Sequence, residues 1–323
     1  MSAPPVIPAP YPVQVHSYLP DSSQDGPPRA VQAYEHLPSV AHPPPTQLEN
    51  ALVFIGGLGD GPHTIPYVRT LALHLSRLPH LSYSVFEARL TSSFTGFGYS
   101  ALGQDARELA DLVRYLRTRL GKKRVVLMGH STGCQDCLEY GTKKEKHLSL
   151  QGEEVRVDGF VLQGPVSDRQ AIAMTEDKRE VEAALRVAEG MLEKGRAEDA
   201  MEREVLPRSW RGSPVTAYRW CSLAGVGGDD DYFSSDLPDE KLEAIWGKLE
   251  VPVLIVPSEK DEWVPGWRDV PELVDKWKSF CRPGIASELS GLIPGANHRV
   301  ENTDGQEWLA DRVARFLAEI EKR

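Results

Sequence analysis

Residues 124–140 read RVVLMGHSTGCQDCLEY. Arg124–Met128 supplies a continuous apolar run, as a strand buried on both faces requires. Gly129-His130-Ser131-Thr132-Gly133 is a full G-x-S-x-G, and Ser131–Tyr140 reads as a helix. The pentapeptide alone is only moderately specific. Strand, sharp turn and helix together are the context of a nucleophile elbow. Such a turn forces the serine into strained backbone geometry, so the residues two before and two after it must be small. It lifts the hydroxyl above the sheet and aims a helix N-terminus at it. The competing reading is a Gly-rich turn of some other doubly wound protein.

Outward from this turn the chain alternates strand and helix. Ala51–Ile55, Leu81–Phe86, Arg124–Met128, Gly159–Gln163 and Val251–Val256 read as strands. Pro66–Leu78, Asp105–Leu120 and Gln306–Ile320 carry apolar residues at helical spacing. This rhythm predicts a mostly parallel central sheet with helices on both faces; with the nucleophile elbow, the expected fold is an α/β-hydrolase. It breaks from Ser167 to Glu250, where Asp177–Met201 is one long helical pattern and Arg208–Asp236 is irregular. The expected divisions are a Pro-rich segment (1–50), a first part of the core (51–166), a helical cap insertion (167–250) and a second part of the core (251–323). Residues 1–50 hold 12 of the 25 prolines. There Gln14–Leu19 and Ala30–Leu37 suit edge strands of a hairpin around Pro20–Pro28.

The 323 residues are 41% hydrophobic and 26% charged, an ordinary globular balance. The net charge of −10 leaves no electrostatic footprint for nucleic acid or anionic membrane. No apolar run approaches the roughly 18–20 residues of a membrane span. The N-terminal stretch has neither the apolar core of a secretory signal nor the arginines of a presequence, so a cytoplasmic location is expected. Cys134 and Cys137 form a C-x-x-C without a second pair to complete a zinc site, and read as helix packing. No metal or cofactor is expected.

A serine hydroxyl needs a base. The expected order on this fold is Ser, acid, His. Of nine histidines only His298 lies beyond residue 147. It sits in a Gly-containing loop before the last helix, which suits the base. Asp261 follows the strand Val253–Pro257 in a D-x-x-V-P loop and is the expected acid; Glu259 and Glu262 are the alternatives, as solvated loop charges. The oxyanion hole is expected from the backbone N–H groups of Thr132 and of Leu58 in GGLGDG, residues 56–61.

Several segments also resemble a family of fungal α/β-hydrolases that includes siderophore ester hydrolases. They are FIGGLGDG (54–61), LTSSFTGFGYSALGQD (90–105), MGHSTGCQD (128–136), YRWCSLAGVGGDDDYFSSDL (218–237) and SEKDEWVP (258–265). The resemblance implies Ser131 as nucleophile, Asp261 as acid and His298 as base. It implies a small-molecule ester substrate of the fusarinine type, built of hydroxyornithine units joined by esters. Any iron would belong to that substrate. The other readings are a general carboxylesterase, lipase or thioesterase, and a non-catalytic receptor on the same fold.

Between Cys221 and Glu240 there are six acids and no Lys or Arg. Asp229, Asp230 and Asp231 are accordingly expected to form a negative rim that attracts cationic substrate. Tyr218, Trp220, Tyr232, Phe233, Trp246, Trp263 and Trp267 read as core packing or a stacking surface.

Overall fold

The computed structural model describes residues 9–20, 29–38, 48–143, 147, 151–266 and 269–323. Seven strands form one sheet: β1 (Val13–Tyr18), β2 (Val31–His36), β3 (Asn50–Ile55), β4 (Tyr83–Ala88), β5 (Arg124–His130), β6 (Gly159–Gln163) and β7 (Val253–Val256). Their spatial order is β1-β2-β4-β3-β5-β6-β7. From β4 to β7 all pairings are parallel, while β1 and β2 add an antiparallel edge. The N-terminal hairpin thus takes its expected place, with β1 Val13 opposite β2 His36. Its turn, residues 21–28, lies outside the described residues.

Helices cover both faces. α1 (Tyr67–Ser76) precedes β4, α2 (Leu102–Thr118) precedes β5, and α3 (Gly133–Thr142) follows it. α4 (Asp168–Thr175), α5 (Lys178–Glu193), α6 (Ala217–Ala224) and α7 (Asp239–Trp246) fill the interval between β6 and β7. α8 (Val270–Phe280) and α9 (Thr303–Glu321) close the chain. One apolar core packs α2, α3, α7 and α8 on one side of the sheet; another packs α1 and α9 on the other. This is the three-layer α/β-hydrolase arrangement that alternating strands and helices demand.

The stretch 167–250 differs in detail from its reading. The long helix ends at Glu193, because Gly195 turns back to bond its N–H to the Leu192 carbonyl. α4, α5 and α6 share a small core of their own around Ile172, Ala188 and Trp220. Residues 232–249 do not join it: Tyr232, Phe233 and Trp246 sink into the main core. Tyr218 donates to Asp229. Trp263 is 40% exposed, and Trp267 lies outside the described residues. Cys134 and Cys137 are fully buried in α3, where burial pushes both thiols well up.

The acidic rim is a correction. Asp230 is 2% exposed and Asp231 5% exposed. Asp230 accepts from Arg219 Nη1 at 2.6 Å and from Ser222 Oγ at 2.5 Å. Asp231 accepts from Arg169 Nε at 3.3 Å and from the Gly227 N–H at 3.1 Å. Arg169 also pairs with Asp236. The balancing cations are Arg219 of α6, two residues before Cys221, and Arg169, which the fold brings in from α4. Arg219 further donates to the Phe97 carbonyl, so the buried pair anchors the loop 92–99 beside the cavity described below. Breaking such a pair leaves a buried charge unpaired, at about 3–5 kcal/mol. Asp230→Ala should therefore lower the thermal unfolding midpoint strongly, and exposed Asp229→Ala only slightly. Equal midpoints for the two variants would refute this structural role.

Candidate active site

The turn after β5 has the strain that its sequence implies. Ser131 has φ of 54°, left-handed for a non-glycine residue. Its N–H bonds to the Gln163 carbonyl at the end of β6. A Cβ on Gly129 would lie 2.2 Å from the Gly133 carbonyl oxygen, and one on Gly133 would lie 2.5 Å from that of Ile55. The turn closes only because both positions lack side chains. Gly57 meets the same limit: a Cβ there would come within 2.7 Å of Ser131 Cβ. The loop after β3 therefore lies directly against the serine.

The loop after β7 and the loop before α9 meet across from it. His298 Nδ1 lies 2.8 Å from Asp261 Oδ2. An ionised carboxylate can only accept, so Nδ1 carries the hydrogen and Nε2 keeps a lone pair. Asp261 Oδ1 accepts from the Trp263 N–H at 3.0 Å. The two flanking acids, expected to be solvated, instead brace the histidine loop. Glu262 accepts from the His298 N–H at 2.9 Å and Glu259 from the Gly295 N–H at 2.5 Å.

Ser131 and His298 line one cavity of about 680 Å³. Leu58 and Trp263 also line it, as do Trp210 and Ile172 from the insertion. Thr132 lies just behind, on a small pocket shared with Gly57 and Leu58. Among the described residues, neither the Leu58 nor the Thr132 N–H has an acceptor. Asp261 stands behind His298, away from the lining. Asp229, Asp230 and Asp231 do not reach the cavity. The carboxylates that do are Asp60, Asp168, Glu176 and Glu262, with Arg299 as the cation among them.

Other residues of the site have no motif signal. His130 is buried with its ring 4.8 Å from that of His298. Burial, with the neighbouring His298, pushes its imidazole well below the ordinary value, so it stays neutral. Its Nδ1 is 2.5 Å from Gln163 Oε1, which also accepts from Tyr67 Oη at 2.9 Å. Gln163 Nε2 donates to Ser258 Oγ and to the His298 carbonyl, each at 3.3 Å. One buried amide thereby ties β5, β6 and the two late loops together. Arg299 donates to Asp60 Oδ1 at 3.0 Å and to the Thr64 carbonyl at 2.6 Å, joining the histidine loop to the loop after β3. Only tertiary proximity reveals these partners.

Over residues 7–318 the chain matches the family described as "Protein of unknown function (DUF1749)". It is 30% identical to the fusarinine C esterase sidJ of Aspergillus fumigatus, covering 86% of this chain and 91% of that protein. It is also 30% identical to the esterase AN6793 of Emericella nidulans, covering 84% and 87%. The solved structure of the siderophore hydrolase EstB from Aspergillus fumigatus superposes with a TM-score of 0.73 at 26% identity, covering 96% and 99%. With this fold and these relatives, the chain belongs to the DUF1749 family and is a carboxylic ester hydrolase of the α/β-hydrolase fold.

Proposed function

We propose that this chain is a serine esterase that cleaves the ester bonds of a fusarinine-type hydroxamate siderophore. The observation that carries the mechanism is the 2.8 Å contact of His298 with Asp261, with His298 and Ser131 on one cavity. Ser131 Oγ attacks the ester carbonyl while His298 Nε2 takes its proton. Asp261 holds the imidazole in the required tautomer and stabilises the imidazolium. The N–H groups of Leu58 and Thr132 receive the oxyanion. Collapse expels the alcohol, which takes the proton from His298. Water then enters, gives a proton to the same nitrogen, and releases the acid from the acyl-enzyme. No cofactor takes part.

The siderophore substrate rests on likeness to sidJ and EstB and on the site's chemistry. The cavity is large enough for a multi-unit ester; of its four carboxyl groups, Asp60 is paired with Arg299 and burial pushes Asp168 well up, which leaves Glu176 and Glu262 as its acidic lining. Fusarinine-type units carry free amines, which that lining would attract. Helices α4–α6 act in this reading as a cap over the cavity.

Four experiments test it. Ser131→Ala should fold normally and lower ester turnover by roughly 10³-fold or more, and should abolish labelling by a fluorophosphonate. Turnover close to wild type would remove Ser131 from the mechanism. Asp261→Asn should lose most activity at near-native stability, whereas Glu262→Gln, which keeps an acceptor for the His298 N–H, should lose little. The reverse ranking would move the acid to Glu262. Glu176→Gln should raise KM for a cationic ester with kcat nearly unchanged and leave a neutral ester of similar size alone. Added salt should bring the wild type towards the variant, since charges are screened over about 8 Å at physiological ionic strength. Mass spectrometry of iron-free and iron-loaded hydroxamate siderophores after incubation decides the substrate.

A further inference from the structure

A second group of ligand-type side chains stands on the other side of the loop that carries Leu58. His36 ends β2, Glu87 lies in β4, and His63 follows the GGLGDG turn. One nitrogen from each ring and a carboxylate oxygen lie within 4.8 Å of one another. His36 Nε2 is 2.6 Å and His63 Nδ1 2.9 Å from Glu87 Oε1, and the His63 N–H donates to Glu87 Oε2 at 2.8 Å.

Three features point beyond a hydrogen-bonded cluster. The first is convergence. Glu87 is 1% exposed. A nitrogen of each ring is aimed at its one oxygen Oε1, and among the described residues its ion-pair partners are only these two histidines. Two imidazole nitrogens and a buried carboxylate oxygen gathered at one point are a ligand set for a divalent cation. The second is the His36 ring. Its Nδ1 is buried without a hydrogen-bond partner, and the ring is held by stacking on Tyr11 at 5.4 Å. The third is His63, whose φ of 69° is strained for a non-glycine residue. That strain turns both its N–H and its ring towards Glu87, while 29% of its side chain stays open to solvent.

We propose that His36, His63 and Glu87 form a binding site for a divalent first-row transition metal of the zinc type. Two imidazoles and one carboxylate suit zinc, which accepts three protein ligands and leaves a fourth position for water. Ligands about 2.0–2.2 Å from a tetrahedral zinc stand about 3.3 Å apart. The two histidine–glutamate pairs open slightly, and the two ring nitrogens, now within 4.8 Å, close to that spacing, as the shared hydrogens leave as protons or move to the far ring nitrogen. The Tyr11 hydroxyl, 3.1 Å from His63 Nδ1, borders the open position. The ligands are 51 and 24 residues from Glu87 in sequence, so no spacing motif announces them. A bound ion would clamp the N-terminal hairpin and β4 to the loop that holds Leu58 and Asp60.

The test uses the full chain stripped of metal by a chelator and titrated with cobalt(II) chloride, then with zinc chloride in competition. The expected result is one equivalent of cobalt with the intense visible bands of a four-coordinate ion, displaced by zinc. Zinc should also raise the thermal unfolding midpoint. Loss of even an outer partner of a metal ligand costs about 10- to 100-fold in affinity, so His63→Ala should lose at least that much and its zinc-dependent midpoint shift. His63 is half open, which makes that variant the one to read if Glu87→Gln fails to fold. His298→Ala should bind cobalt like wild type. Absence of cobalt bands in the wild type, or equal affinity in wild type and His63→Ala, would overturn the site and leave a hydrogen-bonded clamp.

Discussion

The constraint on which the site depends is the left-handed backbone of Ser131 between two carbonyls that tolerate no side chain nearby. A strained residue of this kind costs about 1–3 kcal/mol and persists only where its surroundings over-determine it. Here they do. β5 is buried on both faces, with β3 on one side and β6 on the other. α3 starts at once and packs against β5 and α2. The Ser131 N–H is fixed by Gln163 at the end of β6. Sheet and helix set the serine before any substrate arrives.

The remaining parts of the site are loops, and polar side chains set their positions. Gln163 reaches from β6 to His130, Tyr67, Ser258 and the His298 carbonyl. Arg299 draws the histidine loop to Asp60, and Glu259 and Glu262 hold it from the acid loop. Buried polar networks are costly unless satisfied, and when satisfied they fix one arrangement. The neutral His130 fits this logic. A second positive charge 4.8 Å from His298 would oppose an imidazolium there.

Charge in the insertion illustrates how a linear count misleads. The acids at 229–236 look uncompensated in a window from Cys221 to Glu240, yet Arg219 lies two residues upstream and Arg169 arrives from α4. Their role is to fasten α4 and α6 to the loop beside the cavity. The carboxyl groups that face the cavity come from the loop after β3, the two ends of α4 and the loop after β7, and none comes from the acids at 229–236.

Elements whose patterns are local were legible in the chain. The G-x-S-x-G turn follows from steric demands within five residues, and strand and helix periods follow from which faces are buried. Chain order pointed to His298, and the D-x-x-V-P loop after a late strand pointed to Asp261 over Glu259 and Glu262; the structure places the two 2.8 Å apart. The hairpin of β1 and β2 was legible because two short extended segments flank a turn-rich stretch. Tertiary structure decided what local periodicity does not encode. α6, α7 and α8 are 8 to 11 residues long, and their stability comes from packing against the cores rather than from a long amphipathic repeat. The partners of Glu87, Asp230, Gln163 and Arg299 lie on other elements, and no spacing along the chain reports a contact that exists only once the sheet has formed.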